Sequence, residues 1–251
     1  MAHDVEYVRS PLGTLMFLPK GVARPPGIVL LHGSNGGHSG WTYMEALDLA
    51  AAGFAAMPFG YSKGGDVWFA GDIHDVELHD TAAAIRALRD DERVSGKIGL
   101  YGVSRGAEHA LLLVSLMARD ADAKADLPEA VAVHAPSDFI VGAFIADNFH
   151  PKINAPEDPT KHAWLWRGSA EALAPGTPIP IERYDGPLTI SHGEEDELWP
   201  VERSKRLEAR LKAAGRAPGI HYYPRQGHSL GGPAANLARD RLKDFFRRTL
   251  G

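Results

Sequence analysis

The sequence predicts an α/β protein with a mostly parallel central sheet and helices on both faces. Short apolar runs alternate with segments of helical periodicity from residue 27 onward. Parallel strands need crossover connections, and these helical segments supply them. The chain has 251 residues, of which 44% are hydrophobic and 24% charged. These values are typical of a globular protein, and we expect residues 1–251 to form a single domain.

The predicted strands are short apolar runs bounded by turn residues. They cover 5–10, 12–19, 27–33, 54–60, 97–102, 130–136, 187–193 and 220–224. Pro11, Leu12 and Gly13 join the first two strands as a hairpin. The run at 27–33 is continuously apolar, which is typical of a strand buried on both faces.

The predicted helices place apolar residues at helical spacing. They cover 41–53, 76–89, 106–118, 200–215 and 237–250. Gly53 provides a stop for the first helix. Pro200 at the start and Gly215 at the end of the fourth follow the usual asymmetry of helix termini.

One segment interrupts the alternation. Residues 139–184 follow the sixth predicted strand and are too long for an ordinary connection, so we expect a cap-like insertion. Four aromatic side chains in it either line a pocket or pack the insertion onto the body: Phe144, Phe149, Trp164 and Trp166.

Composition excludes several classes of function. The formal net charge is −5 and no long basic run is present, which argues against binding to nucleic acid or an anionic membrane. The chain has no cysteine, which excludes disulfides, thiolate metal sites and a cysteine nucleophile. No apolar stretch has the length of a signal peptide core or a membrane span, so a cytoplasmic protein is expected. A homo-oligomer is left open.

The most informative stretch is "IGLYGVSRGAEHALLL", residues 98–113. It places Ser104 between Gly102 and Gly106, where a predicted strand gives way to a helix. The residues fit an ordinary tight turn, and they also fit a nucleophile on a strained strand-to-helix elbow. A serine hydroxyl is a poor nucleophile without a neighbouring base, so its partners must decide.

Two partners follow in the expected order. Asp196 lies in the loop after the strand 187–193, and His228 lies in the loop after the strand 220–224. Chain order Ser, Asp, His after successive strands predicts a catalytic triad of Ser104, Asp196 and His228. Asp138, beyond the strand 130–136, is a competing carboxylate, although Asp196 is favoured.

An oxyanion hole is expected beside this serine. The backbone N–H of Arg105, at the start of a helix, is one predicted donor. Ser34 in the loop "HGSNGGHSG" is the other, with Asn35 as the alternative. For the Arg105 side chain, a contact with solvent or a surface carboxylate is slightly favoured over substrate binding. No spacing resembles His-Glu-x-x-His, and neither a metal nor a cofactor is expected.

Histidines and acids near these residues receive structural interpretations. His134 and His192 lie in apolar strands and are expected to be core groups or neighbours of the site, and His32 is expected to be structural. Glu194, Glu195 and Glu197 are interpreted as a solvated acidic turn around Asp196.

The chain resembles the α/β-hydrolase superfamily over essentially its whole length, in its dienelactone-hydrolase-like branch. Within that branch it is similar to the catalytic domain of the acyl-CoA thioesterase and bile-acid-CoA:amino-acid N-acyltransferase family. The likeness is carried by "PGIVLLHGSNGG", "IGLYGVSRGAEHALLL", "HGEEDELWPVERSKRLEARLKAAG" and "YYPRQGHSLGGP". Some members of that family use a cysteine nucleophile, whereas Ser104 stands here and favours transfer to water.

The predicted function is therefore a serine hydrolase that cleaves a small-molecule carboxylic ester or thioester, with acyl-CoA among the candidates. Two alternatives stay open: an acyltransferase with an acceptor other than water, and a ligand-binding protein that has the fold without the chemistry. The acyl group and the leaving group are not predicted, because they depend on the shape of the pocket.

Overall fold

The computed structural model describes residues 2–64, 69–148 and 156–251. The strands in these residues are β1 (Val5–Arg9), β2 (Leu15–Pro19), β3 (Gly27–Leu31), β4 (Ala55–Phe59), β5 (Val76–Glu77), β6 (Ile98–Val103), β7 (Ala130–His134), β8 (Ala143–Phe144), β9 (Glu157–Asp158), β10 (Trp164–Leu165), β11 (Leu188–Gly193) and β12 (Gly219–Tyr223). The α-helices are α1 (Gly40–Ala51), α2 (Leu78–Arg89), α3 (Arg105–Met117), α4 (Glu202–Ala213) and α5 (Gly232–Leu250). Short 3₁₀ turns cover Lys124–Asp126, Ala146–Asn148 and Ile181–Arg183.

Eight of the strands form the central sheet, in the order β1-β2-β4-β3-β6-β7-β11-β12. Strand β2 is antiparallel to both of its neighbours, and the other neighbouring pairs are parallel. The mostly parallel sheet predicted from the sequence is confirmed. Because parallel strands end at the same edge, the loops after β3, β6, β7, β11 and β12 gather there.

Both faces of the sheet are buried, as the continuous apolar runs indicate. In β3, Val29 and Leu31 pack in one core with residues of α2, α3 and α4, whereas Ile28 and Leu30 pack in a second core with residues of α1 and α5. The alternation follows from the two-residue period of a strand. The prediction of helices on both faces is confirmed.

The element boundaries differ from the prediction at a few points. Helix α5 begins at Gly232, earlier than the predicted residue 237, because Pro233 fits the first helical turn ahead of the apolar periodicity. The two-residue strands β5, β8, β9 and β10 were not predicted, since pairs this short have no periodicity to detect. No helix in the described part of the chain has the length and apolarity that crossing a bilayer requires.

The segment 139–184 is tied to the rest of the fold through its described residues. Strand β10 pairs with β5, and Trp164 is fully buried in the larger core. Trp164 therefore packs the segment onto the body, while Phe144 lines the cavity at the sheet edge. Trp166 packs at the margin of the core. Phe149 lies outside the described residues.

Candidate active site

Ser104 lies in a strained turn between β6 and α3. Its backbone has φ 54° and ψ −118°, which a residue other than glycine rarely adopts. Both flanking glycines are sterically required. A Cβ on Gly102 would lie 2.2 Å from the Gly106 oxygen, and one on Gly106 would lie 2.3 Å from the Leu31 oxygen. The turn is therefore a close-packed elbow that projects Ser104 at the sheet edge.

His228 lies within hydrogen-bond distance of both other predicted triad residues. Its Nε2 is 2.9 Å from Ser104 Oγ, and its Nδ1 is 2.7 Å from Asp196 Oδ2. A carboxylate can only accept, so Nδ1 carries a proton and Nε2 is left to accept the proton of the serine hydroxyl. The arrangement can activate Ser104 as a nucleophile.

Asp196 is held as a carboxylate by four donors. Its Oδ1 accepts the backbone N–H groups of Leu198 at 2.9 Å and Trp199 at 2.8 Å. Its Oδ2 accepts from His228 and also from His192 Nε2 at 2.9 Å. Burial opposes ionisation, but the hydrogen bonds from His192 and His228 outweigh it, and the pKa of Asp196 lies well below its ordinary value.

His192 is a second imidazole on the same carboxylate. Its Nε2 lies 2.9 Å from Asp196 Oδ2 and 2.8 Å from the Trp199 carbonyl oxygen, so this nitrogen carries the proton. Its Nδ1 lies 2.7 Å from Ser204 Oγ and accepts a hydrogen bond from the hydroxyl of that serine. The sequence placed His192 among core or neighbouring groups, and the structure places it directly against Asp196.

The competing carboxylate, Asp138, lies against a different partner. Arg206 donates to both of its oxygens, from Nε at 2.6 Å and from a terminal nitrogen at 2.7 Å. This two-bond pair has the usual fork geometry of arginine with a carboxylate. Of the two carboxylates, it is Asp196 that lies next to His228.

The loop after β3 lies beside the serine. A Cβ on Gly33 would be 3.2 Å from Ser104 Cβ. The Asn35 side chain braces the loop internally, since its Oδ1 accepts the Gly33 N–H at 2.9 Å and its amide donates to Ser39 and Thr42. Ser34 follows Gly33 in this loop and lines the same cavity as Ser104.

The side chain of Arg105 contradicts the expectation of a solvent or surface contact. It is buried, with one guanidinium nitrogen 3.2 Å from Glu108 Oε2 and another 2.7 Å from the Gly142 carbonyl oxygen. The reason is the i,i+3 spacing on α3, which aligns the two side chains beneath the segment 139–184. Glu108 also accepts from Trp164 Nε1 and the Val141 N–H, each at 2.8 Å, while burial raises the pKa of Glu108.

The acidic turn is exposed at Glu194, Glu195 and Glu197, as the sequence suggested, and one of these side chains also contacts the site. Glu197 Oε2 accepts the backbone N–H of His228 at 3.2 Å, so this side chain contacts the loop that carries the imidazole. His32 fits the structural role expected for it. Its ring stacks on Tyr61 with the centroids 4.1 Å apart, and burial lowers the pKa of His32 to about 4.

A cavity of about 610 Å³ opens over Ser104 and His228. Ser34 and Arg105 line it beside the serine. Its apolar wall comes from several elements and consists of Trp41, Val103, Phe144, Pro156, Leu198 and Trp199. Glu157 and Glu197 contribute carboxylates to the lining. The site can therefore enclose an apolar group next to the nucleophile.

The sheet order, the flanking helices and the serine elbow define an α/β-hydrolase fold. Solved α/β hydrolases share it at low sequence identity. A dienelactone hydrolase-like promiscuous phosphotriesterase from metagenomic libraries superposes with a TM-score of 0.63, 16% identity and 99% of each chain covered. An α/β hydrolase enzyme from a Medee basin deep-sea metagenome library gives a TM-score of 0.58, 14% identity and 98% of each chain.

More particularly, the chain belongs to the BAAT / acyl-CoA thioester hydrolase C-terminal family, whose model matches residues 76–249. Among curated proteins it is similar to acyl-coenzyme A thioesterase 6 of Mus musculus, 29% identical over 227 residues, and to acyl-coenzyme A thioesterase 5 of the same organism, 30% identical over 230 residues. Each match covers 87% of this chain and 52% of the relative, so the chain spans about half the length of these proteins.

Proposed function

We propose that the protein is a serine hydrolase that cleaves a carboxylic ester or thioester, with acyl-CoA as the substrate class. The observation that carries this proposal is the chain of hydrogen bonds from Asp196 through His228 to Ser104, on the wall of a cavity of about 610 Å³. Acyl-CoA is proposed as the substrate class because of the family and because of relatives named as acyl-CoA thioesterases.

In the acylation step, Ser104 Oγ attacks the carbonyl carbon of the substrate while His228 Nε2 takes the hydroxyl proton. Asp196 stabilises the imidazolium that forms and fixes its orientation. The backbone N–H groups of Ser34 and Arg105 stabilise the negative oxygen of the tetrahedral intermediate. The intermediate collapses as the bond to the leaving group breaks, and His228 gives its proton to the departing thiolate or alkoxide.

Deacylation repeats these steps with water. His228 removes a proton from a water molecule, which attacks the carbonyl carbon of the Ser104 ester. The second tetrahedral intermediate then releases the carboxylic acid, and the proton returns to Ser104 Oγ. The cycle uses the chain's own residues throughout.

In this proposal, residues 1–251 form one hydrolase domain. The segment 139–184 is an insertion in that domain and covers the active site as a cap. Phe144, Pro156 and Glu157 come from this segment and line the cavity. Arg105 and Glu108 hold its Gly142, Val141 and Trp164 close to the elbow. The cap thus shapes the space open to the acyl group.

Acyl transfer to an amine is the second candidate, because one curated relative is acyl-coenzyme A amino acid N-acyltransferase 2 of Rattus norvegicus, 27% identical over 234 residues. A serine ester with an activated water favours hydrolysis. A non-catalytic binding protein is disfavoured by the intact set of hydrogen bonds among Ser104, His228 and Asp196.

The test is a side-by-side panel of acyl-CoAs, p-nitrophenyl esters and lactones, each with and without glycine or taurine as acceptor, using wild type and Ser104→Ala. We expect release of free acid, fastest from a thioester, and a loss on the order of 10⁶-fold in turnover for the variant. Amide products would favour acyl transfer. Near-normal hydrolysis by Ser104→Ala would contradict the proposal.

A further inference from the structure

His134 contacts both the nucleophile and the loop of the base, although its position in an apolar strand predicted only a core group or a neighbour of the site. It is the last residue of β7, with 5% of its surface exposed, and β7 lies between β6 and β11 in the sheet. Its backbone carbonyl accepts the N–H of Ser104 at 2.9 Å. The main chain of His134 therefore contacts the strained elbow directly.

The side chain of His134 contacts the other side of the site. Its Nε2 is 3.0 Å from the carbonyl oxygen of His228, and its Nδ1 is 2.9 Å from Ser191 Oγ. A carbonyl oxygen can only accept a hydrogen bond, so Nε2 carries the ring proton and donates it. Nδ1 then accepts a hydrogen bond from the Ser191 hydroxyl. Burial lowers the pKa of His134 to about 4, which keeps the ring in the neutral form that this pattern requires.

The backbone of His228 is held from both sides. Its carbonyl accepts from His134, and its N–H donates to Glu197 Oε2 at 3.2 Å. The two loops that carry the acid and the base are also joined, because the Glu195 N–H donates to the Gln226 carbonyl at 2.8 Å. His134 supplies the side-chain contact that reaches this pair of loops from β7.

We propose that His134 is a positioning residue for the hydrolytic reaction, which holds the Ser104 N–H and the His228 carbonyl and so fixes the distance between base and nucleophile. The inference rests on the proposed serine hydrolase function. Small errors in the placement of catalytic groups lower turnover by up to about 100-fold while leaving much of the substrate contact intact. Loss of the His134 imidazole should therefore lower kcat and leave KM nearly unchanged.

The test compares His134→Phe, which keeps a planar ring without a donor, with His134→Gln, whose amide can donate to the same carbonyl. His221→Phe is the matched control. His221 lies opposite Ser191 on the neighbouring strand β12, and none of the hydrogen bonds among the described residues joins it to Ser104, Asp196 or His228. Each variant is assayed for kcat and KM on a p-nitrophenyl ester, for the rate of fluorophosphonate labelling of Ser104, and for urea unfolding.

We expect His134→Phe to lower kcat and the labelling rate by roughly 10- to 100-fold with KM within about 3-fold of wild type. His134→Gln should recover most of the loss, and His221→Phe should stay near wild type. Should His134→Phe not fold, Ser191→Ala decides the matter, because it frees Nδ1 and should lower kcat by about 3- to 10-fold.

The outcomes separate the two proposals. Absence of a Ser104 adduct in wild type would contradict the serine hydrolase function itself. Normal labelling of wild type with an equal rate in folded His134→Phe would overturn only the inference about His134. Equal losses in His134→Phe and His134→Gln, or a kcat of wild-type size in Ser191→Ala when that variant decides, would overturn it as well.

Discussion

At the scale of single residues, Asp196 carries more contacts than a simple triad needs. Two imidazoles share its Oδ2, and two backbone amides hold its Oδ1. These donors keep the carboxylate ionised and fix its direction in the fully buried side chain. His228 thereby retains the tautomer whose Nε2 can accept a proton from Ser104.

The first prediction compares the same change, aspartate to asparagine, at Asp196 and at Asp138. In Asp196→Asn the negative carboxylate that accepts hydrogen bonds from both His192 and His228 becomes a neutral amide. His228 then loses the acceptor that keeps the proton on its Nδ1. We expect kcat to fall by roughly 10³- to 10⁴-fold in a folded protein. Asp138→Asn, which weakens the pair with Arg206, should keep kcat near wild type. Steady-state kinetics with an ester substrate provides the measurement, and the reverse ranking of the two variants would contradict the assignment.

How far the sequence predicts the site differs from residue to residue. Ser104, Asp196 and His228 could be predicted because each follows a recognisable strand, and parallel strands end at one edge. The contacts of the Arg105 side chain could not, since they depend on how the segment 139–184 packs over α3. His134 and His192 gave a partial signal, as polar residues at or near the ends of buried strands, but their partners come from other loops.

At the scale of elements, the elbow depends on close contact between α3 and β3. A Cβ on Gly106 would lie 2.3 Å from the Leu31 oxygen and 2.5 Å from the His32 oxygen, both backbone atoms that cannot rotate away. The helix that begins at Arg105 can approach the sheet this closely only because residue 106 has no side chain. The strained Ser104 backbone is maintained by that packing.

The second prediction follows from this contact. Gly106→Ala must move α3 away from β3, so we expect the free energy of unfolding to fall by about 1–3 kcal/mol or more, together with most of the activity. Gly231→Ala is the control, because its φ is −119° and the nearest atom to an added Cβ is 3.9 Å away. Urea unfolding of both variants checks this, and a Gly106→Ala protein as stable and active as wild type would contradict the packing argument.

At the scale of the whole molecule, several histidines are buried in neutral form. Burial lowers the pKa of His109 to about 3 and that of His134 to about 4, below the ordinary value of 6.5. Between these values the unfolded chain binds protons that the folded chain excludes. The free energy of unfolding should therefore fall as the pH is lowered from about 6.5 towards about 4.

The third prediction isolates one of these groups. Both ring nitrogens of His109 are buried without a hydrogen-bond partner among the described residues, and the ring packs against Tyr61 and Trp164. His109→Phe removes the titrating group and keeps an aromatic ring. We expect the pH dependence of unfolding between about pH 4 and 6 to become shallower by up to about 1.4 kcal/mol per pH unit. Urea titrations at several pH values measure the slope, and an unchanged slope would argue against a buried neutral His109.

The proposed reaction forms a covalent bond to one oxygen atom, Ser104 Oγ, and trapping the acyl-enzyme would detect that bond. Wild-type protein is mixed with an acyl-CoA, stopped with acid within the first turnover, digested and analysed by mass spectrometry. We expect an acyl ester on Ser104, free CoA released in the same burst, and neither product from Ser104→Ala. Steady hydrolysis by Ser104→Ala, with no acyl group on residue 104 of the wild type, would contradict the proposed reaction.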